Sequence, residues 1–95
     1  MARPTFLITR SARRDLDNIY DFIAPANLRA AEKFIARLYG TFVAIARMPT
    51  IGRASRVVPG RRVFPVGRYV IYYRVTRTGL VYILRVRHSA RIRGP

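Results

Sequence analysis

The stretch from Phe64 to Val75 is the most strand-like segment of the chain, and the other elements are arranged as scaffold around it. Side chains of an extended strand alternate between two faces. Tyr69, Ile71, Tyr73 and Val75 therefore share one side, and Arg68, Val70, Tyr72 and Arg74 share the other. The first set is apolar or aromatic and belongs against a core. The second mixes arginine with tyrosine, which suits a surface that meets phosphate or an acidic protein.

Upstream, Thr5 to Thr9 reads as a first strand. Ser11 is placed as the N-cap of a helix running to about Ala24, with Ala12, Leu16, Ile19, Tyr20 and Ile23 on its buried stripe. Pro25-Ala26-Asn27 interrupts it. Asn27 then caps a second helix, from Leu28 to about Arg47, which Pro49 stops. Ala31, Ile35, Leu38, Phe42 and Ile45 make the core stripe of that helix. A second stripe of Tyr39, Val43 and Ala46 widens the apolar arc. Packing against the first helix is the favoured use of this stripe, and a groove for a partner helix is the other.

Pro49 to Gly60 reads as a loop, and Arg61 to Val66 as a short strand in which Pro65 marks an edge or a strand end. Gly67 turns the chain into the central strand, and Thr76-Arg77-Thr78-Gly79 forms a hairpin turn. On the last strand, Leu80 to Arg87, the residues Val81, Ile83, Arg85 and Arg87 alternate with Tyr82, Leu84, Val86 and His88. Residues 88–95 are expected to form a mobile basic tail. The order β-α-α-β-β-β defines one α+β domain over residues 1–95, a helical hairpin packed on one face of a mainly antiparallel four-stranded sheet. The opposite face is expected to carry a partner-binding surface of Arg68, Tyr72, Arg74, Arg85 and Arg87, extended by Arg91.

Composition narrows the function. A chain of 95 residues with 51% hydrophobic content suits one packed domain. No apolar run approaches the roughly 18 residues of a membrane span. Arg10, Arg13 and Arg14 arrive too early for a secretory signal, so a cytoplasmic protein without a membrane partner is expected. There is no cysteine and a single histidine, His88, which argues against thiolate chemistry and a zinc centre; no metal and no cofactor are expected. The net charge of +15 implies an anionic partner. All four acids, Asp15, Asp17, Asp21 and Glu32, lie in the first third. From Lys33 to Pro95 no carboxylate stands against thirteen arginines and one lysine.

Four motifs in order carry a resemblance. They are Ser11-Ala-Arg-Arg-Asp-Leu-Asp-Asn-Ile-Tyr-Asp-Phe-Ile, Ala30-Ala-Glu-Lys-Phe-Ile, Phe64-Pro-Val-Gly-Arg-Tyr-Val-Ile-Tyr-Tyr-Arg-Val, and Ile83-Leu-Arg-Val-Arg-His-Ser-Ala-Arg. Together they span nearly the whole chain, which resembles the RelE/ParE toxin superfamily on its ParE-like side. The resemblance implies a toxin of a type II toxin–antitoxin pair, neutralised by a cognate ParD-like antitoxin with an acidic C-terminal segment. For ParE-like members it implies poisoning of DNA gyrase, and for RelE-like members ribosome-dependent cleavage of mRNA.

The second activity requires a base for the ribose 2′-OH, stabilisation of an anionic phosphorane and an acid for the leaving oxygen. By motif position Arg68 matches the arginine that RelE-like nucleases place at the scissile phosphate, and His88 lies near their acid/base position. Against an RNase site, no carboxylate follows Glu32, and arginine hardly deprotonates. Strict alternation also puts His88 with Leu84 and Val86 on the helix-packed face, away from Arg68. The reading favoured is a toxin that binds gyrase and does not catalyse, with the Arg68–His88 endoribonuclease as the alternative.

Overall fold

The computed structural model describes residues 5–92. Strand β1 (Phe6–Ile8) leads into helix α1 (Arg10–Ile23), and α2 (Leu28–Arg47) returns antiparallel to it. A 3-10 turn (Pro49–Ile51) leads to β2 (Arg53–Ala54), β3 (Arg61–Val66), β4 (Tyr69–Val75) and β5 (Val81–His88), and a 3-10 turn (Ser89–Ile92) follows. The sheet order is β1-β5-β4-β3-β2, parallel only between β1 and β5. The sheet thus has five strands rather than four. β2 lies in the expected loop and pairs Arg53 with Val63 and Ala54 with Arg62; two residues are too few to show a period of two in the sequence. It leaves the Pro65 end of β3 without an outer neighbour, where the missing N–H of proline costs no ladder bond. His88 closes β5 and Ser89–Ile92 coils into the final turn; the rest of the expected tail, 93–95, lies outside the described residues.

Asn27 caps α2 as its sequence requires, accepting from Ala30 N–H at 3.0 Å. The cap of α1 is Thr9 and not Ser11. β1 ends at Ile8, and Thr9 is held by its own N–H on Ile83 O at 3.1 Å. Its hydroxyl donates to Leu84 O at 3.1 Å and accepts from Ala12 N–H at 3.2 Å. Strand and helix therefore share one residue, and no room remains for a cap two residues later.

Both helices cover the same face of the sheet. Tyr73, Phe42, Leu38, Ile45, Ile71, Ile83 and Val81 are the largest fully buried side chains. Burial of each is worth about 1.5–3 kcal/mol by transfer. The Phe42 ring packs 5.7 Å from Phe6 and 5.5 Å edge-on from Tyr39, which ties α2 to β1. The Tyr39–Val43–Ala46 stripe does not pack beneath α1 as favoured above. Tyr39 is 37% and Val43 38% exposed, because Leu38, Phe42 and Ile45 take the core positions. Among the described residues no helix is long and apolar enough to cross a membrane.

Two departures from plain alternation matter for function. A bulge in β5 sets Tyr72 opposite Arg85 but Tyr73 opposite Ile83, so Leu84 is the extra residue. Val81 and Ile83 face the helices before the bulge, and Val86 does so after it. Strict alternation would have put Val81 and Ile83 on the same face as Arg85 and Arg87. The second departure is a buried pin. The Tyr73 hydroxyl donates to Pro49 O at 2.6 Å and accepts from Gly52 N–H at 2.9 Å. Arg62 adds a bond to Gly52 O at 2.7 Å. Together these fasten the 49–52 turn to the centre of the sheet.

Burial raises the pKa of the Tyr73 phenol, while the Gly52 hydrogen bond and Arg62 pull it down by less. A folded-state value above the unfolded one means that the neutral phenol stabilises fully below the unfolded pKa. That contribution is lost as pH rises through the folded pKa, above about pH 10. Urea unfolding midpoints should fall across this range and fall less in Tyr73→Phe. An equal fall in both proteins would assign the alkaline loss to other groups.

Candidate anion-binding face

Registered pairing places side chains on the uncovered side of the sheet row by row. One row runs Leu7, Tyr82, Arg74, Arg61; the next runs Arg85, Tyr72, Val63, Arg53; a third holds Arg87, Val70 and Pro65. Tyrosine and arginine interleave here because Tyr72 and Arg74 follow each other on the outer face of β4 and meet Arg61 on β3 and Tyr82 on β5. The Arg74 guanidinium lies 4.6 Å from the centre of the Tyr82 ring, and that of Arg61 lies 5.7 Å from Tyr72. Each contact is worth about 0.5–1 kcal/mol at an exposed site. Its main effect is to hold the guanidinium against a ring and keep its N–H edge available. Arg61 Nε is buried with no hydrogen-bond partner among the described residues. Val63, the aliphatic residue beneath this lattice, is only 8% exposed.

Of the arginines expected on this face, Arg74, Arg85 and Arg87 stand on it with Tyr72. Arg68 does not sit in the strand. It is the second residue of the two-residue turn between Val66 and Tyr69, whose first residue, Gly67, has φ +58, where hairpin turns take glycine. Arg68 is exposed, and its carbonyl accepts Ser89 N–H at 2.7 Å. Arg85 is not a free cation. It donates to both oxygens of Asp15 on α1, at 2.8 and 3.1 Å, and Asp15 also accepts Val86 N–H at 2.9 Å. The hydrogen bond to Asp15 raises the Arg85 pKa beyond its already high value. The backbone of Arg91 lies in the closing turn, and its side chain is outside the described residues.

His88 lies opposite Tyr69, with its ring 5.1 Å away and edge-on, on the helix-covered side. Its Nδ1 accepts Ala90 N–H at 3.1 Å, which leaves Nε2 as the nitrogen for an outside partner. Backbone pairing thus brings Arg68 and His88 to one end of the sheet, although His88 faces the side opposite the arginine lattice. Sequence reasoning passed over Arg61, Arg53, Tyr82 and Asp15. Alternation from Arg61 would have found the first; Tyr82 was hidden by the bulge. Asp15 carries no local signal, because its partners are 70 and 71 residues away.

A helical hairpin on one side of a small sheet, with an arginine–tyrosine lattice on the other, defines a small basic α+β protein. A family model described as the ParE toxin of the type II toxin–antitoxin system parDE matches residues 6–93. Toxin ParE1 of Mycobacterium tuberculosis is 31% identical over 86 residues, covering 88% of each chain. Toxin RelE2 of Caulobacter vibrioides is 37% identical over 84 residues, covering 88% of this chain and 93% of that protein. Two solved structures are similar. The chromosomal ParDE toxin–antitoxin system from P. aeruginosa matches at TM-score 0.76 and 24% identity, covering 88% of this chain and 94% of that one, a likeness of fold. The toxin–antitoxin complex RelBE2 from Mycobacterium tuberculosis matches at TM-score 0.62 and 30% identity, covering 92% and 99%. The chain belongs to the ParE toxin family and is a type II toxin of the ParE/RelE superfamily.

Proposed function

We propose that this toxin acts by binding DNA gyrase in the cytoplasm, without catalysis, and that a cognate ParD-like antitoxin neutralises it through an acidic C-terminal segment. The observation that supports this reading is the lattice of Arg61 and Arg74 held on Tyr72 and Tyr82. Guanidinium groups stay protonated at neutral pH, so such a face offers fixed charge and hydrogen-bond donors but no proton shuttle. Arg68 and Arg87 extend the proposed surface at one end. The Tyr39–Val43–Ala46 stripe of α2, with Tyr39 and Val43 exposed and Ala46 half-buried, is proposed as the groove for an antitoxin helix. Two of the structural neighbours are described as toxin–antitoxin systems, which supports a protein partner for this chain.

Purified toxin should block gyrase supercoiling or trap cleaved DNA. The double charge reversal Arg61→Glu/Arg74→Glu should weaken inhibition by tenfold or more, about the loss of one or two charge-assisted contacts. Normal supercoiling at excess wild-type toxin would overturn the gyrase reading. One observation favours a second reading, a ribosome-dependent mRNA endoribonuclease: the backbones of Arg68 and His88 lie beside each other at the end of β4 and β5. It predicts codon-positioned cuts in translated mRNA that disappear in His88→Ala. Full toxicity of that variant would dismiss it.

A further inference from the structure

The connection between β2 and β3, residues 55–60, carries an apolar tip. Val57 is 86% exposed and Val58 37%. Exposed turns are ordinarily built from glycine, asparagine, aspartate, serine and proline. This one departs from that chemistry and is nevertheless well ordered. Ser55 Oγ accepts the N–H groups of Val57 and Val58, each at 3.1 Å. Ser55 N–H donates to Arg61 O at 2.7 Å, and Arg61 N–H donates to Val58 O at 3.2 Å. Pro59 fixes its own φ, and Gly60 takes the φ of +79 that closes the turn. At its base, β2 begins one residue after Gly52, whose N–H is held by the Tyr73 hydroxyl. The two valines thus stand on a braced pedestal. Their β-branched side chains have little rotamer freedom to lose on burial. The bonds that shape the turn use the Ser55 hydroxyl and backbone groups alone, so its architecture does not call for valine at position 57.

We infer that this tip is a knob that enters an apolar pocket, rimmed by carboxylates, on the toxin's target protein. The inference rests on the reading that the toxin acts by binding a protein, and it names the element that makes the contact. An apolar pocket follows from Val57, which offers no polar side-chain atom and whose N–H is already bonded to Ser55. The carboxylates follow from charge. Arg53 and Arg56 precede the valines, both exposed, and among the described residues no ion pair holds either. No carboxylate occurs in the chain after Glu32, and all four acids stand on α1 and α2, so this charge has no counter-ion on the tip or the strands that carry it. An apolar centre bordered by arginine is the anatomy of a protein contact, in which a few packed side chains carry most of the affinity. Nucleic acid fits less well, because the wedges that part stacked bases are longer or broader than valine. A lipid surface also fits less well, since attachment scales with buried apolar area and two valines offer little.

Val57→Ser in the whole toxin tests this, because it removes the knob and leaves both the charge and the Ser55 bonds in place. The variant should unfold at the wild-type urea concentration, since the side chain is almost free of the fold. About tenfold more of it should be needed to inhibit gyrase supercoiling, and at equal toxin level it should arrest growth correspondingly less. Arg56→Gln should weaken inhibition by about threefold. Co-purification with the protein encoded beside the toxin should be unchanged in both. Full potency of Val57→Ser in both assays would overturn the inference. So would loss of co-purification, which would assign the tip to the antitoxin. Binding of wild type to duplex DNA, or to vesicles of phosphatidylserine and phosphatidylcholine, that is lost in Val57→Ser would overturn it in favour of nucleic acid or lipid. If wild-type toxin leaves supercoiling normal, the gyrase target falls and growth arrest decides the tip: relief by Val57→Ser upholds it, and undiminished arrest removes it. A wild-type chain that arrests nothing would overturn both.

Discussion

Gly52→Ala should destabilise the protein by about 3–5 kcal/mol, a large share of the roughly 5–15 kcal/mol that holds a domain of this size together. A methyl carbon on Gly52 would stand 2.6 Å from Val63 O and 2.6 Å from the Tyr73 hydroxyl. Val63 O is backbone in the middle of β3, and Tyr73 is fully buried between two carbonyl and amide partners, so neither can retreat cheaply. Over-packing accounts for about 1–3 kcal/mol. The Gly52 N–H, pushed off its acceptor in a buried position, adds about 1–3 kcal/mol. Equilibrium urea unfolding measures the sum. In a Tyr73→Phe background the penalty should shrink by about 1 kcal/mol, since the hydroxyl half of the collision is gone. A variant within 1 kcal/mol of wild type would show that the 49–52 turn is not pinned as described.

Asp15→Ala should cost about 2–3 kcal/mol, and Arg85→Ala clearly less. The asymmetry follows from what each removal strands. Without Asp15 the Val86 N–H at the sheet edge loses its acceptor, and the Asp15 side chain is only 12% exposed, so water replaces it poorly. Without Arg85 the carboxylate keeps Val86 N–H, and the guanidinium lost was 39% exposed and already partly solvated. Asp15→Asn, which keeps an acceptor oxygen, should fall between wild type and Asp15→Ala. Equal costs for Asp15→Ala and Arg85→Ala would mean that the ion pair, and not the capped amide, carries the stabilisation.

The same pair shows how a site can hide from its sequence. Arg85 looks like any other arginine on an alternating strand, and counting it as partner surface was the natural reading. Among the described residues it is the one arginine of that group held in an ion pair, which shifts the exposed charge toward Arg61, Arg74 and Arg87. His88 was separated from Arg68 on the ground of facing, and its ring does lie on the helix side against Tyr69. The hairpin turn at Gly67 nevertheless brings their backbones together, since Ser89 N–H reaches Arg68 O.

What the residues determined alone is whatever depends on near neighbours in the chain. The period of two from Tyr69 to Val75, the core stripes of both helices, the Asn27 cap and the Pro49 stop are local preferences of backbone torsion and side-chain spacing, and each is found where it was read. On the outer face Tyr72 and Arg74 are of the same kind, whereas the bulge is what sets Tyr82 beside them. Only the folded chain decided the bulge at Leu84, the Thr9 cap shared between strand and helix, the short β2, and Asp15 on the open edge of β5. Each of these answers a backbone group left unpaired by an element distant in sequence. Such a demand does not exist until the sheet has closed around it.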